Sequence, residues 1–261
     1  DAHEEGYESV NMDLIYGLPL QTPETFNKTL DQVISLKPHR IALYAYAHLP
    51  ERFKPQRRIH ENDIPSAKNK ITMLSLAIEK FFEAGYVYVG MDHFALPNDS
   101  LAIAKRQGRL HRNFQGYSTQ PDCDIIALGV SAIGRVGANY NQNSKELEDY
   151  YDHLNHGRFP IVKGLVLSKD DIVRRAVIME IMCQGRLDFE SIELAYLINF
   201  KEYFSSEINL LKNFEEKKFV EFDDAGIQVT DTGWFFVRAI AMIFDRYLQL
   251  DQNRKRFSKI L

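Results

Sequence analysis

The strongest constraint on the fold lies in the first third of the chain, where three short apolar segments alternate with two amphipathic ones. Ser9–Tyr16 (SVNMDLIY), Arg40–Tyr46 (RIALYAY) and Tyr86–Val89 (YVYV) read as strands. Between the first two, Thr22-Pro23-Glu24 supplies an N-cap, a proline at the first helical position and an acid in the first turn. Phe26, Leu30, Val33 and Ile34 then form one apolar stripe, and the helix stops before Pro38. Between the second and third strands, Ser66 caps a longer helix with Ile71, Leu74, Ile78 and Phe81 on one face, closed by Gly85. Antiparallel neighbours need only a tight turn, whereas parallel ones need a crossover long enough for a helix. The β-α-β-α-β order therefore predicts parallel strands covered by helices, an α/β arrangement.

Beyond Gly90 the pattern loosens. Asp99–Arg106 reads as a short helix, Asn113–Thr119 is polar and aromatic, Asp124–Ile133 (DIIALGVSAI) reads as a buried strand or tight turn, and Lys145–Leu154 as another helix. Near residue 166 the texture changes. Ser168 caps a helix running to Cys183, and further helices are expected at Ser191–Leu197 and Tyr203–Glu215. Phe219–Phe222 and Ile227–Val229 flank Asp223-Asp224-Ala225-Gly226, a hairpin signal. Asp231–Leu248 is expected as a final helix with Trp234, Val237, Ile240, Ala241 and Phe244 inward. Two domains follow, an α/β one over 1–165 and a mostly helical, winged-helix-like one over 166–261.

A net charge of −4 gives no bulk attraction to nucleic acid or to an anionic membrane. No apolar run approaches the roughly 18 residues a membrane span needs. Cys123 and Cys183 stand far apart in no paired motif, so neither a disulfide framework nor the ligand set of an iron–sulfur cluster is available, and a reducing cytoplasm is expected. Asp1–Tyr7 (DAHEEGY) reads as the tail of a helix ending at Gly6, with no initiator Met and no secretory pattern, as expected for a piece of a longer protein.

Several groups carry candidate chemistry. Asp13 interrupts an apolar strand, where a carboxylate is costly unless paired or aimed at a ligand. Tyr44, Tyr46 and His48 alternate along the end of the second strand and share a face; an aromatic core with a surface histidine is the blander reading. His93 follows the third strand and suits acid–base work or carboxylate binding, although Asp92 could simply hold it. Lys105–Tyr117 (KRQGRLHRNFQGY) holds Lys105, Arg106, Arg109 and Arg112 in a stretch free of acids. Arginine grips carboxylates bidentately, and Phe114, Gln115 and Tyr117 add stacking and amide contacts. Leu128–Gly134 is small enough for backbone to approach a ligand.

Five segments in order, NMDLIYGLP at 11–19, YAHLP at 46–50, GMDHFA at 90–95, LHRNFQGY at 110–117 and LGVSAI at 128–133, resemble the oxygen-independent coproporphyrinogen III oxidases, radical S-adenosylmethionine (SAM) enzymes. The resemblance implies the later part of an incomplete (β/α)6 barrel and a helical C-terminal domain. It implies a [4Fe–4S] cluster and two SAM molecules in the intact enzyme. A 5′-deoxyadenosyl radical then removes a propionate hydrogen, carbon dioxide leaves, and two propionates of coproporphyrinogen III become the vinyls of protoporphyrinogen IX, with an unidentified electron acceptor. Asp13, Ala47 and Ile133 match SAM-contacting positions, and Phe114 and Gln115 match the region of the second SAM. Arg112 is our own candidate for the propionates, with His93 the weaker one. The family's CxxxCxxC motif is absent from this chain, so the chain by itself is expected to be inactive.

Two other readings remain. Haem-chaperone relatives carry an HNxxYW-like element where this chain has His111-Arg112-Asn113-Phe114-Gln115-Gly116-Tyr117, which favours the oxidase. A winged-helix nucleic-acid-binding module is encouraged only by Arg254, Lys255, Arg256 and Lys259; the third helix of that domain pairs Lys212 with Glu207, Glu215 and Glu216.

Overall fold

The structure is a computed structural model and describes residues 4–250, apart from the side chains of Gln249 and Leu250. The basic tail from Arg254 to Lys259 lies outside the described residues. Two compact units are present, one reaching Gln107 and one spanning Gly108–Leu250.

In the first unit, β1 (Asn11–Tyr16), α1 (Pro23–Leu36), β2 (Arg40–Ala45), α2 (Ala67–Glu83), β3 (Val87–Gly90), β4 (His93–Ala95) and α3 (Ser100–Arg106) follow in order. Thr22 caps α1 through a reciprocal capping box with Thr25, and Ser66 caps α2. The strands pair in the order β1-β2-β4-β3. β1 and β2 are parallel, with Asp13 opposite Ala42. β1, β2 and β3 run in the same direction, as the β-α-β-α-β order predicts, but β3 does not lie beside β2. Gly90 and Met91, both at positive φ, turn the chain back at once, and β4 inserts antiparallel between β2 and β3. A turn this short returns a strand antiparallel, so the expected all-parallel order is broken locally.

Side chains alternate across the sheet. Tyr16, Ile41, Leu43 and Phe94 face Phe26, Leu30 and Val33 of α1 and Met73, Ala77 and Phe81 of α2 in one core. The α2 stripe is rotated from the expected one: Met73, Ala77 and Phe81 form the buried row, Leu74 and Ile78 flank it, and Ile71 is 48% exposed. The opposite sheet face carries Asn11, Asp13, Ile15 and Tyr44, all exposed.

The second unit begins with the hairpin β5 (His111–Asn113) and β6 (Gly116–Ser118). An antiparallel sheet of β7 (Ile133–Val136), β8 (Asn139–Asn143) and β9 (Ile161–Val166) follows, with α4 (Leu147–Asn155) between β8 and β9. Asp124–Ile133 is not a buried strand: Ile126 and Leu128 are 71% and 83% exposed. The segment is a loop tied by backbone bonds between Ile125 and Arg135 and by Asn143, whose Nδ2 donates to the Ala127 and Gly129 carbonyls.

Next come α5 (Lys169–Gln184), β10 (Arg186–Asp188), α6 (Phe189–Tyr196), α7 (Phe200–Tyr203), α8 (Ser205–Glu216), β11 (Val220–Phe222) and β12 (Gly226–Val229). The strands pair β10-β12-β11. Gly185 ends α5 at φ +66, and a Cβ there would lie 2.3 Å from the Trp234 ring, so both conformation and space demand glycine. The expected last helix is broken into α9 (Asp231–Trp234), α10 (Val237–Met242) and α11 (Arg246–Leu250). The Phe236 amide reaches back only to the Gly233 carbonyl, and Asp245 accepts from the Tyr247 and Leu248 amides to start a new turn.

Residues 108–165 associate with the C-terminal helices. Tyr117 Oη donates to the Met182 carbonyl at 2.9 Å, and Gln184 Nε2 donates to the Leu110 carbonyl at 2.9 Å. The compact units therefore divide at 107/108, whereas the change of sequence texture falls at 165/166.

Candidate functional site

A cavity of about 1430 Å³ lies within the second unit. One wall is the β5–β6 hairpin, whose turn presents Phe114 and Gln115 and whose β5 carries Arg112. Asn113 Oδ1 accepts from the Gln115 amide at 2.8 Å and shapes that turn. The Arg112 guanidinium lies over the Tyr117 ring, 5.5 Å from its centre. The Phe114 ring meets Tyr140 of β8 edge-on at 5.2 Å. Opposite, α5 contributes Arg175, Glu180 and Cys183.

The charges around the cavity are paired in part. Asp122 accepts from both guanidinium ends of Arg175 at 2.8 and 2.9 Å and from Arg135 Nη1 at 3.1 Å, and Arg135 Nη2 lies in ion-pair range at 2.6 Å. Burial pushes the Asp122 carboxyl up, but the hydrogen bonds and charges of Arg175 and Arg135 outweigh it and hold it below its ordinary range. Burial raises Glu180, against the opposing charges of Arg186 and His111. Burial pushes the Cys183 thiol up to about 12, so it stays protonated at neutral pH and is a poor nucleophile or metal ligand.

The basic stretch does not act as one patch. Lys105 donates to the Tyr88 carbonyl and Arg106 to the Pro97 carbonyl, both in the first unit. Of the four cations, Arg112 alone is among the residues that line the cavity. Asp13 and Ala47 lie in the first unit. Asp13 is exposed on the open sheet face, not buried in an apolar strand, and accepts from Asn11 Nδ2 at 2.7 Å. The Ala47 carbonyl, just past β2, accepts from Gln56 Nε2, while Gln56 Oε1 takes the Leu49 amide, so one side chain staples that loop. His93 opens β4 opposite Ala42, and its ring meets Tyr44 edge-on at 6.2 Å. Tyr46 Oη and His48 Nδ1 are 3.2 Å apart. Ile133 opens β7 and is exposed, away from the cavity lining.

Residues 167–236 match the family model described as the HemN C-terminal domain. The chain is 49% identical over 255 residues to oxygen-independent coproporphyrinogen III oxidase of Pseudomonas aeruginosa, covering 98% of this chain and 55% of that protein. It is 41% identical over 256 residues to the protein of the same name from Thermostichus vulcanus, covering 98% of this chain and 78% of the relative. The chain belongs to the oxygen-independent coproporphyrinogen III oxidase family.

The fold agrees. A solved structure of Escherichia coli coproporphyrinogen III oxidase (HemN), described as a radical SAM enzyme, superposes with a TM-score of 0.91 and 46% identity over 95% of this chain and 57% of that one. The chain thus spans little more than half the length of most curated oxidases it matches. A radical SAM oxidase implies SAM and an iron–sulfur cluster. The residues here do not fit the cluster: Cys123 is exposed, Cys183 is buried, and no group of three potential ligands occurs among the described residues. Among the described residues no helix is long and apolar enough to cross a membrane.

Arg135, Arg175, Glu180 and Arg186 also line the cavity, and no local sequence signal marks them. Arg175 sits in the α5 pattern as an ordinary polar position, and Arg135 in a two-sided strand. Only folding brings them to one cavity.

Proposed function

We propose that this chain supplies the later strands of an incomplete (β/α)6 barrel, over 1–165, and a winged-helix-like domain, over 166–261, to an enzyme that decarboxylates two propionates of coproporphyrinogen III to vinyls. Family membership supports the reaction class. The observation that carries the reading is the β5–β6 hairpin, which lines one cavity with a cation, an aromatic ring and an amide from Arg112, Phe114 and Gln115. Asp13, Ala47 and Ile133 are the further SAM-contacting candidates, and Phe114 and Gln115 those for a second SAM. Arg112, with His93 as second candidate, holds substrate carboxylates. SAM, when bound, would supply the oxidising radical. The residues of this chain bind, orient and exclude water. The open face of the first unit's sheet, with Asp13, Tyr44 and His93, supports a barrel interior, because parallel strands are ordinarily covered on both faces. The reading implies a cytoplasmic enzyme with an electron acceptor as partner and neither nucleic acid nor membrane as one.

The test is anaerobic turnover of coproporphyrinogen III with SAM. The polypeptide carrying a CxxxCxxC segment ahead of these residues forms protoporphyrinogen IX, and the 261-residue chain alone forms none. Haem binding without decarboxylation by the longer polypeptide refutes the proposal in favour of a haem chaperone.

A further inference from the structure

The clamp centred on Asp122 has an output at the cavity wall. Arg175 uses both terminal nitrogens on the Asp122 carboxylate, which leaves Nε to donate to Tyr140 Oη at 3.0 Å. Tyr140 in turn lies edge-on against Phe114. Arg135, buried in β7, grips the same carboxylate and donates to the Cys123 carbonyl at 2.8 Å, so Asp122 is anchored from two elements. A guanidinium held bidentately has its plane fixed, and its remaining donor points in one direction. We infer that Asp122 is a positioning residue: by fixing Arg175 it fixes Tyr140, and through Tyr140 it holds the Phe114 ring at the cavity wall where a planar ligand stacks. The ligand is SAM if the reading of Phe114 and Gln115 above is right, and the inference rests on that reading for its effect on binding.

The experiment uses the full-length enzyme, with 4-fluorophenylalanine placed at position 114. Asp122→Asn and Tyr140→Phe are compared with wild type by fluorine NMR, by equilibrium dialysis against SAM, and by thermal melting. The fluorine resonance shifts and broadens in both variants. The SAM dissociation constant rises roughly tenfold for Asp122→Asn, where charge-assisted bonds are lost, and less for Tyr140→Phe, which loses one hydrogen bond and keeps the ring. Asp122→Glu restores part of the loss. Should Asp122→Asn fail to fold, Tyr140→Phe carries the test. An unchanged fluorine signal in folded variants, or an unchanged SAM dissociation constant with only the melting temperature lowered, makes the clamp a tie between α5 and the sheet and overturns the inference. Failure of wild type to bind SAM defeats the functional reading instead, and the fluorine signal still decides the positioning.

Discussion

In the sheet of the first unit, Ile41, Leu43 and Phe94 are 2% exposed or less, whereas the β7–β8–β9 sheet buries Arg135 and Asn143 and leaves Ile161, Val162, Leu165 and Val166 between 43% and 74% exposed. The first sheet has two helices of its own laid across one face, so its apolar residues find partners nearby in sequence. The second is held through polar groups. Arg135 reaches Asp122 and the Cys123 carbonyl, and Asn143 reaches two carbonyls of the preceding loop. Burial of apolar area stabilises the one. Satisfied buried hydrogen bonds, costly to break but modest in net gain, hold the other.

The largest effect is expected in the core between the first sheet and its helices. Phe81→Ala empties a fully buried site against Tyr86 and Phe94 and costs about 3–5 kcal/mol by urea denaturation. Leu165→Ala, at an exposed strand position, costs less than about 0.5 kcal/mol. Equal losses from the two would erase the contrast.

Within the second unit the sensitivity moves to ion pairs. Arg174 of α5 donates to Glu207 at 2.7 Å and to Asp170, with both the arginine and Glu207 largely withdrawn from solvent. Glu207→Ala leaves the guanidinium short of a partner and costs about 3 kcal/mol by the same measurement. A loss below about 1 kcal/mol would place the stability of this unit in its apolar helix packing alone.

Function sharpens the contrast next. Arg112→Ala in the full-length enzyme weakens coproporphyrinogen III binding by roughly ten- to a hundredfold, the equivalent of about 1.5–3 kcal/mol, and Arg112→Lys recovers part of it for want of the planar fork. Equal substrate affinity for all three proteins, with SAM cleavage intact, would return the hairpin to a structural role.

The smallest effect is on acid stability. The Asp122 carboxyl is held below its ordinary value in the folded protein, so its contribution is fully present above the unfolded value, about pH 3.9, and is lost as pH falls through the lowered folded value. Asp122→Asn therefore flattens the acid limb of a stability-against-pH curve below about pH 4 and leaves its slope unchanged above pH 5. The effect is small because the side chain is 52% exposed.

The first sheet was largely legible in the sequence. Thr22-Pro23-Glu24 and Ser66 are local signals, and they start α1 and α2 where expected. The β4 insertion was not legible, because Gly90-Met91-Asp92 looks like the end of a strand until β2 offers an edge for the return strand. Asp124–Ile133 misled for a related reason. An apolar run states that its residues favour burial, but burial needs a surface to meet them, and Ile126 and Leu128 stay 71% and 83% exposed.

For the site, sequence adjacency by itself groups Arg112, Phe114 and Gln115, since residues within four positions are close whatever the rest of the chain does; the β5–β6 hairpin that presents them was not legible in a stretch that reads only as polar and aromatic. Tertiary structure decided everything that depends on long separations. It set Arg175 against Asp122, 53 positions away, and against Tyr140, 35 away. It tied Lys105 to a carbonyl of β3, and it left Asp13 on an open face. A charged side chain has no preferred partner in sequence, because a Coulomb interaction depends on distance and desolvation, and both exist only once the chain has folded.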